Sequence, residues 1–490
     1  MRENGVRPVE RVMESPSAEK WWFGVERKWW LVAALGIANL MASLDGSVVN
    51  TSLPLIMRSF GGPLSSIEWV MMAYLLTTVS LLLTFGRLGD ILGHKRIYVC
   101  GFGVFILGSA LCGVAPSVWW LVAFRALQAG GAAMLMANSA AILTNAFPAN
   151  QRGQALGLTG TAVSIGLMLG PSLGGYISDR FGWPWIFYIN VPIGIVATLL
   201  ALLVIPASKS AAQRREGFDP AGTITVGAGM TLLLLGLSHG QDWGWSSPTV
   251  IVMLGLALVL LVTFVWIERR VRFPMLDLNL FGNRLFSAAN SATLIIYICV
   301  YSVTFMMPFY LLQGRGFTPT TTGLLISGMP LAMAVVAPFS GALSDRVGSR
   351  LPSSLGMAIT TLGLVALALI GPDTTNESLL LRLMLVGLGV GIFVSPNISA
   401  ILGSVPPQQR GVASGIASMG RNAGMVMGVA IAGAVFNAGL ARWTPVAPDM
   451  ALFNSIREAF IAAAAVGAIG TVVSLMRGPK SPLAGRPGTN

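Results

Sequence analysis

Apolar residues run along this chain in long blocks separated by short polar stretches. A helix that crosses a bilayer needs about 20 largely apolar residues at a rise of about 1.5 Å each. Blocks of that length lie at 30–57, 67–86, 97–115, 119–146, 153–177, 184–205, 219–239, 249–267, 285–312, 320–343, 353–371, 378–402, 411–438 and 455–476. They predict fourteen membrane-spanning helices and an all-α membrane protein.

Composition agrees with the pattern. Charged residues make up 10% of the chain, against about 25% in soluble domains. The net charge of +12 would by itself suit a nucleic-acid partner, but the basic residues sit in short runs between apolar blocks and no nucleic-acid motif is present, so nucleic acid is excluded. An even number of spans puts both termini on one side, and Lys and Arg collect on the cytoplasmic side of membrane proteins. Placing the termini in the cytoplasm puts Arg87, Lys95, Arg96, Arg152, Arg214, Arg215, Arg269, Arg270, Arg346, Arg350 and Arg410 on that side and leaves Arg58, Arg180, Arg315, Arg442 and Arg457 opposite. The expected setting is a multi-pass protein of the cytoplasmic (inner) cell membrane with both termini cytoplasmic. Trp29, Trp30, Trp119, Trp120, Trp183, Trp185, Trp243 and Trp245 fall near predicted span ends, where an interfacial aromatic belt belongs. The first twenty residues are polar and hold no secretory apolar core. Cys100, Cys112 and Cys299 lie inside apolar blocks without metal-ligand spacing, so no metal is expected.

The chain repeats itself. PANQRGQALG (148–157) resembles PPQQRGVASG (406–415), 258 residues on, and GRLGDILGHKR (86–96) resembles GALSDRVGSR (341–350), which sets Asp90 against Asp345. Six spans occupy about 190 residues, and the excess matches the segment that holds spans seven and eight. The organisation expected is a cytoplasmic tail over 1–28, a six-helix bundle over 29–205, a linker with two extra helices over 206–270, a second six-helix bundle over 271–477 and a cytoplasmic tail over 478–490. Such paired halves, with a substrate site between them, are a transporter architecture.

GRLGDILGHKR resembles the loop motif of the major facilitator superfamily, between its second and third spans. LVAFRALQAGG (121–131) resembles that superfamily's Arg-x-x-Gln-Gly motif, and GLMLGPSLGG (166–175) its exporter signature G-x-x-x-G-P-x-x-G-G. LDGSVVNTSLP (44–54), WIFYINVPIG (185–194), FDPAG (218–222) and PMLDLNLF (274–281) resemble landmarks of its fourteen-span drug:proton antiporters. The resemblance implies the major facilitator fold: two pseudo-symmetric six-helix bundles plus two inserted central helices. It departs from the pattern at Ala129, at Asn138, where a proline is common, and at Trp183-Pro184-Trp185, positions that bear on pocket shape and substrate range.

Asp45 is the one acidic residue well inside a predicted span. An ionisable group there is expensive and marks an ion, proton or substrate path, so Asp45 is expected to carry the proton. Counting from Trp30, Asp45 lies ~22 Å into the bilayer, and Arg125 lies ~9 Å below Trp119 at the other face. Both fall in the outer half, so the two are expected to communicate, through Gln128 or water. The resemblance also places the motif arginine near the first-span acid. Gly86, Gly89, Asp90 and Arg96, repeated as Asp345 and Arg350, form a loop motif whose glycines permit close approach and a tight turn. Asp90 is expected to accept hydrogen bonds at a helix end and to pair with cations across the halves, and the resemblance assigns this network to conformational control. Gly166, Gly170, Pro171, Gly174 and Gly175 have the spacing of close membrane-helix packing with a proline kink.

Arg421 and Asn422 interrupt the thirteenth span, where a mid-membrane arginine should face the bundle interior. Asn50, Tyr74, Asn138, Met168, Tyr297, Tyr301, Met329 and Asn397 are further candidates for the wall of a substrate cavity. No nucleophile–base pair supports an enzyme, and no Gly-x-x-x-x-Gly-Lys-Ser/Thr motif supplies nucleotide energy, so the expected power source is a proton gradient without a cofactor. These readings predict a proton-coupled antiporter of hydrophobic or amphiphilic small molecules, cations among them, working as a monomer in the lipid bilayer. Export of a lipid, glycolipid or native metabolite on the same fold is the alternative.

Overall fold

The computed structural model describes residues 26–61, 64–206, 219–240, 243–271, 274–445, 447 and 450–477. Both tails and most of the connection after residue 206 lie outside them, as do the side chains of Asn50 and Pro171. The helices are α1 (Arg27–Phe60), α2 (Leu64–Leu92), α3 (His94–Gly113), α4 (Val118–Ala146), α5 (Arg152–Phe181), α6 (Trp185–Tyr188) and α7 (Asn190–Val204). Next come α8 (Pro220–His239) and α9 (Pro248–Glu268), then α10 (Arg284–Pro308), α11 (Pro319–Ile326), α12 (Gly328–Val347), α13 (Arg350–Ala368), α14 (Asn376–Gly403), α15 (Arg410–Trp443) and α16 (Ala451–Leu475). Fourteen stretches of these are long and apolar enough to cross a membrane. Helices prevail because lipid offers no partner to a free backbone N–H or C=O.

Two predicted spans are broken. The regular helix of the sixth is interrupted at Ile189, between α6 and α7, and that of the tenth at Ser327, ahead of Gly328-Met329-Pro330, with both residues keeping right-handed helical backbone angles. The ninth ends in a π-helical turn over Phe309–Gly314, directly after Pro308, whose ring disturbs the normal helix ladder.

The pairing of helices is duplicated. In the first half α1 packs on α5, α2 and α3 on α4, and α7 on α1 and α3. In the second, α10 packs on α15, α12 and α13 on α14, and α16 on α10 and α13. The halves meet along two equivalent seams, α2 against α15 and α5 against α12. The inserted pair breaks this symmetry. Its α8 lies on α2 and α15, covering one seam, where Ser80 Oγ approaches Thr231 Oγ1 at 2.6 Å. In contrast α9 faces outward, with Val252, Leu258 and Val262 largely exposed, as a lipid-facing helix requires.

Both seams are tight at the end of the bundle that carries the repeated loop motif, here the motif end. A Cβ on Gly86 would strike the carbonyl of Gly411, and one on Gly341 would strike that of Gly153, so only glycine allows these backbones to meet. The expected tight turn is made by neither Gly86 nor Gly89. It falls at Gly93 (φ 98°) and, in the repeat, at Gly348 (φ 86°), where a left-handed backbone favours glycine. Gly89 instead leaves room for Asn138 and His94.

A valine at Gly86 should hold this seam apart. With the native cysteines replaced, a cysteine substituted for buried Ser414 of α15 should be alkylated several-fold faster beside Gly86→Val than beside Gly86. An unchanged rate would show that the close approach does not seal the seam.

Candidate functional site

Asp45 lies in α1 and is 1% exposed. Its Oδ2 accepts from Arg125 Nη1 of α4 at 2.7 Å. Its Oδ1 accepts from Gln128 Nε2 at 2.9 Å and from Asn190 Nδ2 at 2.8 Å. Arg125 Nη1 also donates to Gln128 Oε1 at 2.7 Å, and Gln128 Nε2 donates to Ser109 Oγ of α3 at 2.6 Å. One turn of α4 separates Arg125 from Gln128, which lets both reach the same carboxylate. The contact between acid and base is direct, where the sequence allowed an intervening glutamine or water.

The aromatic surroundings are equally specific. The Arg125 guanidinium lies 4.2 Å over the ring of Tyr74 and 5.7 Å from that of Phe187, a favourable placement for a desolvated cation. Arg125 Nε points to the carbonyl of Val70 at 3.4 Å. Glycines press α5 onto the same stretch of α1: a Cβ at Gly166 would crowd Ser43 and Leu40, and one at Gly170 would crowd Ser47. Ser47 Oγ donates to the Gly166 carbonyl at 3.2 Å. Gly174 is buried further along α5, while Gly175 has open space beside it.

Asn190 was not anticipated. It opens α7 just after the break at Ile189, and it is fully buried. Its signal in the sequence was an amide inside an otherwise apolar run, WIFYINVPIG.

At the motif end, two carboxylates cap helix N-termini of the opposite half. Asp90 of α2 accepts from Gly411 N and Val412 N of α15, both at 2.9 Å. Asp345 of α12 accepts from Gly153 N and Gln154 N of α5 at 2.8 and 3.0 Å. A helix N-terminus carries free N–H groups and a positive dipole end, so these are charge-assisted bonds. The helix-end hydrogen bonds expected of Asp90 are present with backbone N–H groups of the opposite half as donors, and its repeat Asp345 has the same kind of donors with Arg152 of α5 within electrostatic reach. Arg96 is exposed, and Arg350 Nη2 donates to the carbonyl of Leu475 at 2.8 Å, tying α13 to α16. Arg410 adds a further bond across the halves, to Asn145 Oδ1 at 2.5 Å.

Of the residues expected to line a cavity, three are packed away. Asn138 donates to the carbonyls of Phe85 and Met134 and lies 2.8 Å from His94 Nδ1. Asn397 donates to Ala289 O and Thr293 Oγ1 and accepts from Arg477. Asn422 turns back onto the Ser418 carbonyl at 2.8 Å. A buried amide satisfies itself on the nearest backbone, and single residues in so apolar a helix do not reveal which face they occupy. Tyr74, Met168, Tyr297, Tyr301, Met329 and Arg421 remain partly accessible.

Depth in a span also proved a poor guide to burial. Asp219 and Glu268, at helix ends, are each 5% exposed and both face Gly222. Leu276 N donates to Glu268 Oε2 at 3.1 Å. Arg477, just past α16, is 1% exposed, and burial pushes its guanidinium down to about 10.

The model of the Major Facilitator Superfamily matches residues 35–267, 221–428 and 289–489. The chain is 37% identical over 415 residues to "Riboflavin transporter RibZ" of Clostridioides difficile, covering 84% of this chain and 89% of that one. It is 35% identical over 411 residues to "Multidrug resistance protein Stp" of Mycobacterium tuberculosis, covering 84% and 75%. "Multidrug transporter protein MdtP" of Bacillus subtilis is 31% identical over 409 residues, covering 83% and 75%. The crystal structure of the human organic anion transporter MFSD10 superposes with a TM-score of 0.66 at 14% identity, covering 91% of this chain and 99% of that one.

Removing Arg125 should strand a buried carboxylate. Arg125→Gln should cost about 3–5 kcal/mol, while Asp45→Asn/Arg125→Gln should lose clearly less than the two single losses combined. Denaturant unfolding of the four proteins in detergent measures this cycle, and additive losses would show that the pair does not interact.

Proposed function

The chain belongs to the major facilitator superfamily, and from that membership we propose that it is a proton-coupled exporter of hydrophobic or amphiphilic small molecules. The observation that carries this reading is the Asp45 carboxylate, sealed from water and held by Arg125, Gln128 and Asn190. A carboxylate in such a place is stabilised in its charged form by the cation and amide donors and destabilised by desolvation. A conformational change that alters either influence therefore loads or releases a proton. The energy source is the proton gradient and no cofactor takes part. One chain in the cytoplasmic membrane, with both termini in the cytoplasm, is the working unit.

Helix α2 offers a physical route from proton to gate. It carries Val70 and Tyr74, which touch Arg125, and at its other end Gly86 and Asp90, which fasten α15. Protonation of Asp45 removes the charge that Arg125 Nη1 pairs with. Arg125 then rests on Gln128 and on α2, and a shift of that helix bears directly on the Asp90 cap. With the motif end in the cytoplasm, the conformer described is closed to the cytoplasm. Release of the Asp90 and Asp345 caps would open that side, with the two halves rocking about a central site.

The names of the Stp and MdtP relatives favour drugs as substrates. The riboflavin transporter relative favours a native metabolite carried by the same machinery.

Everted membrane vesicles with a pre-formed pH gradient test the coupling. Against a panel of amphiphilic dyes and antibiotics together with riboflavin, at least one compound should dissipate the gradient in wild-type vesicles. The same compound should leave it intact with Asp45→Asn. Equal dissipation by both proteins would remove Asp45 as the coupling group.

A further inference from the structure

We propose that His94 is a further proton site, set in the gate at the motif end: its Nε2 takes up a proton as Asp90 lets go of the N-terminus of α15. This rests on the reading above only for the side of the membrane that the motif end faces.

Hydrogen bonds fix which ring nitrogen is basic. His94 opens α3, ahead of the third apolar block. Asn138 Nδ2 of α4 donates to the carbonyls of Phe85 at 3.1 Å and Met134 at 2.9 Å. Its Oδ1 is left to accept, and it lies 2.8 Å from His94 Nδ1. A neutral imidazole has one donor and one acceptor nitrogen, so the ring hydrogen sits on Nδ1. Nε2 keeps its lone pair and lies 3.4 Å from Asp90 Oδ1. Two such acceptors repel, and a proton on Nε2 turns the contact into an ion pair. Gly89 makes room for the arrangement, since a Cβ there would strike both Asn138 Oδ1 and His94 Nδ1. A proline in place of Asn138, common in the pattern this chain departs from, has no side-chain acceptor for Nδ1.

The charges around the ring decide which conformer holds the proton. In the closed conformer Asp90 already accepts from Gly411 N and Val412 N, so its negative charge is answered by the end of α15. Arg410 of α15 stands within electrostatic reach of the ring and opposes a positive charge there. It is anchored over α4 by Asn145 Oδ1 at 2.5 Å. The other basic groups at this end are engaged elsewhere or exposed. Arg87 is buried in α2, Lys95 donates to the carbonyls of Leu202 and Ile205 at 2.7 and 2.6 Å, Arg96 is exposed, and Arg152 donates to the Phe147 carbonyl at 3.0 Å. The His94 side chain is 12% exposed, and burial penalises a charge. Burial, Arg410 and the occupied Asp90 together favour the neutral ring.

Opening reverses each of these. His94 and Asp90 lie in one half, on either side of the turn at Gly93 (φ 98°), whereas α15 and Arg410 belong to the other. When the halves part, the two N–H donors and Arg410 leave together, and water reaches the ring. The imidazolium then takes the place of the α15 helix end beside Asp90. The open conformer therefore binds this proton more tightly than the closed one. Linkage sets the sign: the closed conformer is favoured above the histidine range, about pH 6.5, and gives way as pH falls through it. Acid on the cytoplasmic side thus opens the gate to that side.

Spin labels on Asn150→Cys and Gln408→Cys read the gate. These exposed residues are equivalents in the repeat and stand in opposite halves. With the native cysteines replaced, double electron–electron resonance on the full chain in lipid nanodiscs gives the distance distribution at about pH 8 and about pH 5.5. Acidification should raise the ratio of long to short distances at least about threefold, the change that a threefold difference in proton affinity between conformers can supply. His94→Gln should abolish the response. Asp45→Asn should keep it, which separates this proton from the one on the transport carboxylate. An unchanged ratio, a shift to the short distance, or a response that His94→Gln retains or Asp45→Asn removes would overturn the proposal. If His94→Gln does not fold, nitrogen NMR decides. His94 and His239 are the two histidines of the chain, so nitrogen-15 histidine in His239→Gln reports one ring. That ring should carry its hydrogen on Nδ1 at about pH 8 and be doubly protonated at about pH 5.5; an Nε2–H tautomer at the higher pH, or a neutral ring at both, overturns the proposal. Neither measurement involves transport, so failure of the export reading leaves both outcomes standing.

Discussion

A charge placed inside a bilayer must find its opposite on another helix, and the first half of this protein is organised around that requirement. Asp45 of α1 draws Arg125 and Gln128 from α4 and Asn190 from α7. Through them it engages Ser109 of α3 and Val70 of α2. Lipid gives little hydrophobic drive for helices to associate. Five helices are therefore pinned at one level by a single carboxylate, and glycines on α5 bring a sixth against the same stretch of α1. The break at Ile189 belongs to the same design, since it presents Asn190 at the opening of α7.

The seam between halves obeys a different constraint. There the halves must hold together and yet separate, and the bonds suit that need. Asp90 and Asp345 cap the N-termini of α15 and α5 through backbone N–H groups, next to glycine–glycine contacts. Such caps are strong while the helix end is in place, and they break cleanly when it moves, because water can replace them at both partners. The duplication of this device in the two halves gives both seams the same closure. The inserted pair then makes them unequal, since α8 lies on the α2–α15 seam alone.

Much of this was legible in the sequence. Length and apolarity give the spans, because a bilayer sets one length for every crossing helix. The repeat of GRLGDILGHKR as GALSDRVGSR gives the two halves, and the depth of Asp45 and Arg125 along their helices brings acid and base to one level. Other residues were illegible. Asn138 and Asn397 look like cavity groups in the sequence and are buried on backbone carbonyls in the structure. Asp219, Glu268 and Arg477 look like loop charges and are buried.

The reason is common to these cases. Hydropathy records how far along a helix a residue stands, and in a chain this apolar it says little about which way the side chain points. The sequence alone therefore determined the number of spans, the repeat and the identity of the buried acid. Only the tertiary structure decided that Asn190 completes the Asp45 shell, and that the helix ends capped by Asp90 and Asp345 are those of α15 and α5 in the opposite half. Each of those depends on the rotation of one helix about its axis relative to another, and that rotation is set by glycine contacts and hydrogen bonds between segments far apart in the chain.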